Sequence, residues 1–366
     1  MAPLRIDLGH EPFTPLFISP DSQKLFARPW CGGTLKVFSL LTVAAPEVIE
    51  DPEHAIRDAA ILVPQQSDGS RGDEAAQGLL VLLDGGRVKL VDLRTYKPVD
   101  VDLLNVGRGA QRLAASRDGT RMAVAYSPRP VVVFDLRTRT QLRELTAGPR
   151  WRNGADRIRF SPDGSYLVAE GENLLAVWNE HGKLVKDVDT EGPNGSRSLW
   201  TDMAVTPDST GLVWLQNSYI GGDTVASCDY LVRAQRLDVE LLPPNDVAWE
   251  TRKDAREWRF TGKWPAAPTA VDVSPDGRRV IVAGDLPEFE GASVICEWSM
   301  EAPSGLIQNH PSFSKIAEVP GLVGFARVAP DGDKIVVVAK QTVGRDSASK
   351  QHLFISVYEY AKRNLL

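Results

Sequence analysis

The side chains best placed for chemistry in this 366-residue sequence are charged groups that precede a recurring Ser-Pro-Asp-Gly motif at fixed offsets. Arg159, Asp272 and Arg327 stand two residues before the first residue of the motif. Arg112, Arg157 and Asp202 stand four before it. Charges at one register of a repeat face a common space. There they can bind an anion or a carboxylate, or they can neutralise one another. Left buried and unpaired they would be costly, so pairing or hydration is the expected state and ligand binding the alternative.

A second set is aromatic and cationic. Trp151 is flanked by Arg150 and Arg152, and Trp258 lies beside Arg256 and Arg259. Trp200, Trp249 and Trp264 fall in similar loop-like stretches, and Trp30 ends an early apolar run. Trp–Arg clusters combine apolar area with hydrogen bonding and cation–π contact, as protein-interface anchors do. Packing of the loops against the body is the plainer role for any one of them. Candidate partner-binding residues are therefore Trp30, Arg150, Trp151, Arg152, Trp200, Trp258, Arg259 and Trp264. Trp178, Trp214 and Trp298 lie inside apolar runs and are assigned to the core.

Other chemistry is thinly represented. The five histidines (His10, His54, His181, His310 and His352) form no metal-ligand spacing. No nucleophile elbow, phosphate-binding loop or dinucleotide fingerprint is present. Neither a cofactor nor a metal is expected, and no residue is assigned a catalytic role. Cys31, Cys228 and Cys296 are far apart, giving no disulfide framework and suiting a reducing compartment.

The elements that must position these groups are read from the turns. The motif recurs as Ser19-Pro20-Asp21, Ser116-Arg117-Asp118, Ser161-Pro162-Asp163, Thr206-Pro207-Asp208, Ser274-Pro275-Asp276 and Ala329-Pro330-Asp331. Ser suits the first corner of a type I turn, Pro fixes φ at the second, and Gly suits the fourth. Alternating runs rich in Val, Ile, Leu and Phe flank each turn and read as strands. The spacing is 45 residues from Ser116 to Ser161 and again from Ser161 to Thr206. A degenerate turn is expected near Ser67-Asp68-Gly69, midway through the long gap after Ser19. A period of about 40–50 residues with four short strands is that of a propeller blade.

The opening DLGHEPFTPLFISPD, with Gly9-His10 before Ser19-Pro20-Asp21, and the unit ends Phe134-Asp135 and Trp178-Asn179 resemble the WD-repeat family of β-propellers. That resemblance implies an all-β, seven-bladed propeller of four-stranded antiparallel blades. The expected blades are 13–52, 58–105, 110–148, 156–190, 201–243, 268–320 and 324–360 in a single domain spanning 1–366. The last unit lacks an evident fourth strand, so residues 4–8 are expected to supply it. The inner strands would border the channel, making Arg112, Arg159, Asp202, Asp272 and Arg327 its lining. The long loops, PRWRNGAD, TEGPNGSRSLWTD, NSYIGGDTVASCDY, the stretch from Leu242 to Thr269, DLPEFEGAS and HPSFSKIAEVPG, are expected on the face opposite the Ser-Pro-Asp turns, marking the binding face.

The resemblance implies a non-catalytic scaffold that docks a protein or peptide partner. The alternative is a propeller enzyme (hydrolase, isomerase or cyclase) acting on a small molecule at the channel mouth. The formal charge of −6 argues against nucleic acid, and the apolar runs are strand-sized, arguing against membrane spans. A cytoplasmic location is expected, or a nuclear one in a eukaryote, because MAPLRIDLGHEPF has no signal-peptide core.

Overall fold

A computed structural model describes residues 3–30, 33–62, 78–127, 131–146, 154–171, 174–189, 198–220, 227–237, 257–258, 267–285, 292–299, 314–343 and 350–360. The first strand, β1 (Leu4–Gly9), stands apart from those that follow it. The first sheet is β2 (Phe13–Ile18), β3 (Lys24–Pro29), β4 (Thr34–Ser39) and β5 (Glu47–Glu50). The second is β6 (Ile56–Leu62), β7 (Gly78–Leu83), β8 (Arg87–Asp92) and β9 (Pro98–Asn105). The third is β10 (Ala110–Ala115), β11 (Arg121–Tyr126), β12 (Val131–Asp135) and β13 (Thr140–Leu145). The fourth is β14 (Arg157–Phe160), β15 (Tyr166–Gly171), β16 (Leu174–Asn179) and β17 (Leu184–Asp189). The fifth is β18 (Ser198–Val205), β19 (Gly211–Ile220), β20 (Ser227–Arg236) and β21 (Glu257–Trp258). The sixth is β22 (Ala267–Val273), β23 (Arg279–Asp285), β24 (Ala292–Ser299) and β25 (Ser314–Pro320). The last is β26 (Leu322–Val328), β27 (Lys334–Val343) and β28 (Lys350–Glu359), completed by β1.

These small antiparallel sheets stand in a β-propeller arrangement. Each consecutive pair is joined by an apolar seam. Leu25, Phe38, Ile6, Val336 and Ile355 form the seam between the last sheet and the first. Trp178 fills the seam of the third and fourth sheets, and Trp214 that of the fourth and fifth. Trp298 lies between the fifth and sixth. All three tryptophans are buried, as expected of core residues. Six of the sheets are regular blades, with an outer strand of four to eight residues. The expectation of a seven-bladed propeller is corrected to six blades, the fifth sheet departing from the pattern. There the outer strand is two residues long, Glu257–Trp258, and lies beyond the expected limit at 243. The middle strands of that sheet are instead extended to ten residues each, so NSYIGGDTVASCDY, expected as loop, is mostly hairpin arms.

The turns form as their chemistry predicts. In each, the fourth residue donates its N–H to the first residue's carbonyl, as in Gly164 to Ser161 at 2.8 Å. The Ser161 hydroxyl donates to Asp163 and accepts from the Tyr166 N–H at 2.9 Å, tying the turn into the strand that follows. Ser22 and Ser209 occupy the glycine position with φ near +59°, which strains any residue with a Cβ. Each is held by the turn of the preceding blade. The Ser209 hydroxyl accepts from the Asp163 N–H, and the Ser22 hydroxyl accepts from the Asp331 N–H, both at 2.9 Å. The second bond joins the last turn to the first. The expected second turn, Ser67-Asp68-Gly69, lies outside the described residues.

Ring closure is as the open last unit demands. β1 pairs antiparallel with β28, from Leu4 opposite Val357 to Asp7 opposite Phe354. Arg5 stacks over Phe354 at 3.7 Å, and Ile6 is buried in the seam.

The strand order also corrects the placement of the loops. Connections alternate between the two ends of an antiparallel meander. Those joining β20 to β21 and β24 to β25 leave on the same end as the Ser-Pro-Asp turns, as does the one joining β6 to β7. Long connections therefore occur at both ends. The segment 314–320 of the supposed loop HPSFSKIAEVPG is itself the outer strand β25. The connections after β13, β17 and β21 leave on the opposite end.

Candidate functional site

The inner strands place the charged groups in the central channel. Asp202, on β18, is 2% exposed. Its Oδ1 accepts from Arg157 Nη1 at 2.5 Å and Arg327 Nη2 at 2.8 Å. Its Oδ2 accepts from Arg327 Nη1 at 2.6 Å and from the Val271 N–H at 2.9 Å. One carboxylate thus bonds four donors on three other inner strands: β14, β22 and β26. Arg327 also donates to the Val271 and Ala326 carbonyls.

Burial pushes Asp202 towards neutrality, but the Arg327 and Arg157 charges and the Arg327 hydrogen bonds outweigh it and hold the carboxyl below its ordinary range. Arg327 is pulled down by burial and raised further by Asp202, ending above the usual guanidinium range. Both directions describe one ion pair made in a low-dielectric space.

A repeated clasp surrounds this hub, in which an inner-strand side chain bonds the backbone of the next inner strand. Asp58 accepts from the Leu113 N–H at 2.8 Å, and Asp272 from the Val328 N–H at 2.8 Å. Arg112 donates to the Asp156 carbonyl at 2.6 Å, and Arg159 to the Met203 carbonyl at 3.3 Å. These bonds stitch neighbouring blades at the axis, where the inner strands face a channel instead of a packed layer. The structure places Arg112, Arg159, Asp202, Asp272 and Arg327 on five successive inner strands, each bonded to a neighbouring blade.

Three members were not singled out in the sequence. Arg28 lies on the second strand β3, Glu170 on the second strand β15, and Asp58 on β6. Glu170 is 7% exposed, its Oε2 has no hydrogen-bond partner among the described residues, and Arg157 stands 3.9 Å away. Burial raises its pKa above the ordinary value. Asp272 is raised too, because burial outweighs the pull of Arg327. Burial and the Arg327 charge lower Arg159 to about 10.

Asp58 carries a measurable consequence. Burial lifts its pKa from 3.8 to about 6, against the opposing pull of Arg112 and two backbone N–H groups. A carboxyl raised on folding favours the fold below its ordinary pKa and loses that contribution as pH climbs through the raised value. Asp58→Asn is therefore expected to stabilise the protein by about 1–3 kcal/mol at pH 7 and to give no gain at pH 3.5. Denaturant titrations of both proteins at the two pH values check this. An equal effect at both would contradict it.

The aromatic set is only partly visible. Trp30 is 72% exposed, its backbone N–H donating to the Pro12 carbonyl at 2.9 Å. It follows β3 and so sits at the end opposite the Ser-Pro-Asp turns. Trp200 and Trp258, expected in loops, are strand residues. Trp200 pairs with Gln216 near the start of β18, and Trp258 with Val232. The pairing edges of β19 and β20 draw these segments into the sheet. Arg150, Trp151, Arg152, Arg259 and Trp264 lie outside the described residues. His10 stacks edge-on against His352 with ring centroids 4.0 Å apart, and its Nδ1 lies 3.1 Å from the Gln351 carbonyl oxygen.

Among the described residues no cluster of three metal-ligating side chains occurs, and no helix is long and apolar enough to cross a membrane. Comparison with known proteins adds little to this geometry. No family model matches the chain. A 148-residue stretch is 28% identical to the cell division protein FtsQ of Caulobacter vibrioides, in strain NA1000 / CB15N and in strain ATCC 19089 / CIP 103742 / CB 15. The match covers 38% of this chain and 47% of those proteins, so the chain spans about half the length of the curated relatives it matches. At that identity and coverage it places the chain in no family.

Proposed function

We propose that this protein is a non-catalytic interaction platform, similar to WD-repeat scaffolds, that docks a protein or peptide on the end of the ring opposite the Ser-Pro-Asp turns. The observation that carries this reading is the engagement of the channel charges. Asp202, Asp272, Arg112, Arg159 and Arg327 each bond a neighbouring inner strand, so they serve the ring. What that end offers a partner is surface. Trp30 stands out from it at 72% exposure. A preformed ring spares the platform side most of the ordering cost of binding.

The test is affinity capture from the native host, followed by titration of the captured partner against variants. Trp30→Ala is expected to weaken binding about tenfold or more, the size of an interface anchor. Val43→Ser, on an exposed residue at the other end, is expected to leave it unchanged. Full retention by Trp30→Ala together with Trp151→Ala would place the docking surface elsewhere.

Glu170 Oε2, without a hydrogen-bond partner among the described residues and 3.9 Å from Arg157, favours a second reading: a small-molecule enzyme of the hydrolase, isomerase or cyclase type at the channel mouth. A turnover lost in Glu170→Gln with the fold intact would support it.

A further inference from the structure

Two histidines from opposite ends of the chain meet where the ring closes. His10 follows β1, and His352 lies on β28, the strand with which β1 pairs. Their rings stand edge to face with centroids 4.0 Å apart. His10 is exposed and His352 half-buried, so the pair is open to solvent. Histidine spacing along the chain could not reveal it, because the two residues come together only in the closed ring.

The partners of the two rings fix their tautomers. His10 Nδ1 lies 3.1 Å from the Gln351 carbonyl oxygen, and His352 Nδ1 lies 3.1 and 3.2 Å from the two Asp7 carboxylate oxygens. A carbonyl oxygen only accepts, and so does an ionised carboxylate. Burial raises the Asp7 carboxyl, but the Gly9 N–H and His352 outweigh it and hold the group below its ordinary range, so it is ionised at neutral pH. Each Nδ1 therefore carries the proton of the neutral ring, and each Nε2 keeps its lone pair. Among the described residues neither Nε2 has a hydrogen-bond partner. A neutral imidazole with one N–H held by a carbonyl or carboxylate is the form in which histidine ligates a metal. The outer bond fixes the ring's orientation and raises the basicity of the other nitrogen.

We propose that His10 and His352 form a binding site for a borderline divalent transition ion, zinc being the type, with water completing its coordination and Asp7 positioning His352. Imidazole nitrogen suits such ions, whereas magnesium and calcium take oxygen ligands. Zinc binds imidazole nitrogen at about 2.0–2.1 Å, and one ion can span two rings this close. Bound there, it ties the segment that enters the first sheet to β28 of the last, beside the strand pairing that closes the ring. The site has two protein ligands and does not rest on the docking reading.

Calorimetric titration of the full chain, first stripped with a chelator, with zinc chloride and with magnesium chloride tests it. Saturable one-to-one binding of zinc is expected, and none of magnesium. His10→Gln and His352→Gln are each expected to weaken zinc binding about tenfold or more. Asp7→Asn, which keeps an acceptor for Nδ1 and removes the charge, is expected to weaken it about tenfold. His181→Gln, on an exposed histidine between β16 and β17, is expected to change nothing. Saturating zinc should raise the melting temperature of the native chain and not that of His10→Gln. His10 is exposed, so its replacement leaves the fold standing and the comparison readable. Absence of saturable heat with zinc would overturn the proposal. So would zinc binding that His10→Gln and His352→Gln leave intact, or that His181→Gln removes. Zinc bound at the pair with no rise in melting temperature would overturn the tie across the closure.

Discussion

Asp202→Ala is expected to lower the unfolding free energy by about 3–5 kcal/mol, the usual cost of removing one partner from a buried ion pair. Most of that loss comes from Arg327, whose side chain is 11% exposed and would lose both bonds to the carboxylate. Arg157 contributes less, because at 41% exposure water screens and replaces its partner. The Val271 N–H is orphaned as well. The sign with pH follows from the carboxyl being held below its ordinary 3.8. Its stabilisation is present above that value and fades as pH falls towards the folded pKa. The Ala variant should therefore lose less stability than the native protein on acidification below pH 4. Urea titrations across that range read both quantities, and a loss under 1 kcal/mol at pH 7 would show the hub to be dispensable.

Removal of residues 1–9 is expected to have an effect of similar size and a different character. β1 is the outer strand of the last blade, and Ile6 is 4% exposed in the seam that joins that blade to the first. Leu4 and Leu8 pack against the same cluster. Loss of these three side chains removes on the order of 5 kcal/mol of apolar burial. It also bares the β28 edge over Leu353–Val357, a pairing surface for other chains. The truncated protein should melt at a lower temperature and form oligomers by light scattering at concentrations where the native chain is monodisperse. A monomeric variant with an unchanged melting temperature would contradict the closure.

The sequence made some of this legible because turn chemistry and strand alternation are local. Ser161-Pro162-Asp163 announces its turn without help from the rest of the chain, and counting back from it finds Arg159. The same count of two finds Asp272 and Arg327, and a count of four finds Asp202. Asp58 escaped because its blade has no Ser-Pro-Asp turn to count from. Arg28 and Glu170 escaped because they sit on second strands, where alternation says nothing about reach towards the axis.

The outer strands were the weakest reading. β25 (SKIAEVP) and β21 (EW) are short or half-polar edge elements, defined by the strand they pair with more than by their own residues. Misreading them as loops sent the connections they belong to towards the wrong end of the ring. The serines at the glycine position, Ser22 and Ser209, could not be understood until the neighbouring turn was seen donating to each.

The central claim is that the inner-strand charges are clasps that hold the ring. A double-mutant cycle on Asp202→Asn and Arg327→Gln measures it most directly, with unfolding free energies of the native protein, both single variants and the double variant. If the charges are clasps, the double variant loses less than the two single losses added, with a coupling of about 2 kcal/mol or more. Additivity within about 0.5 kcal/mol would mean the two groups act independently and would contradict the account.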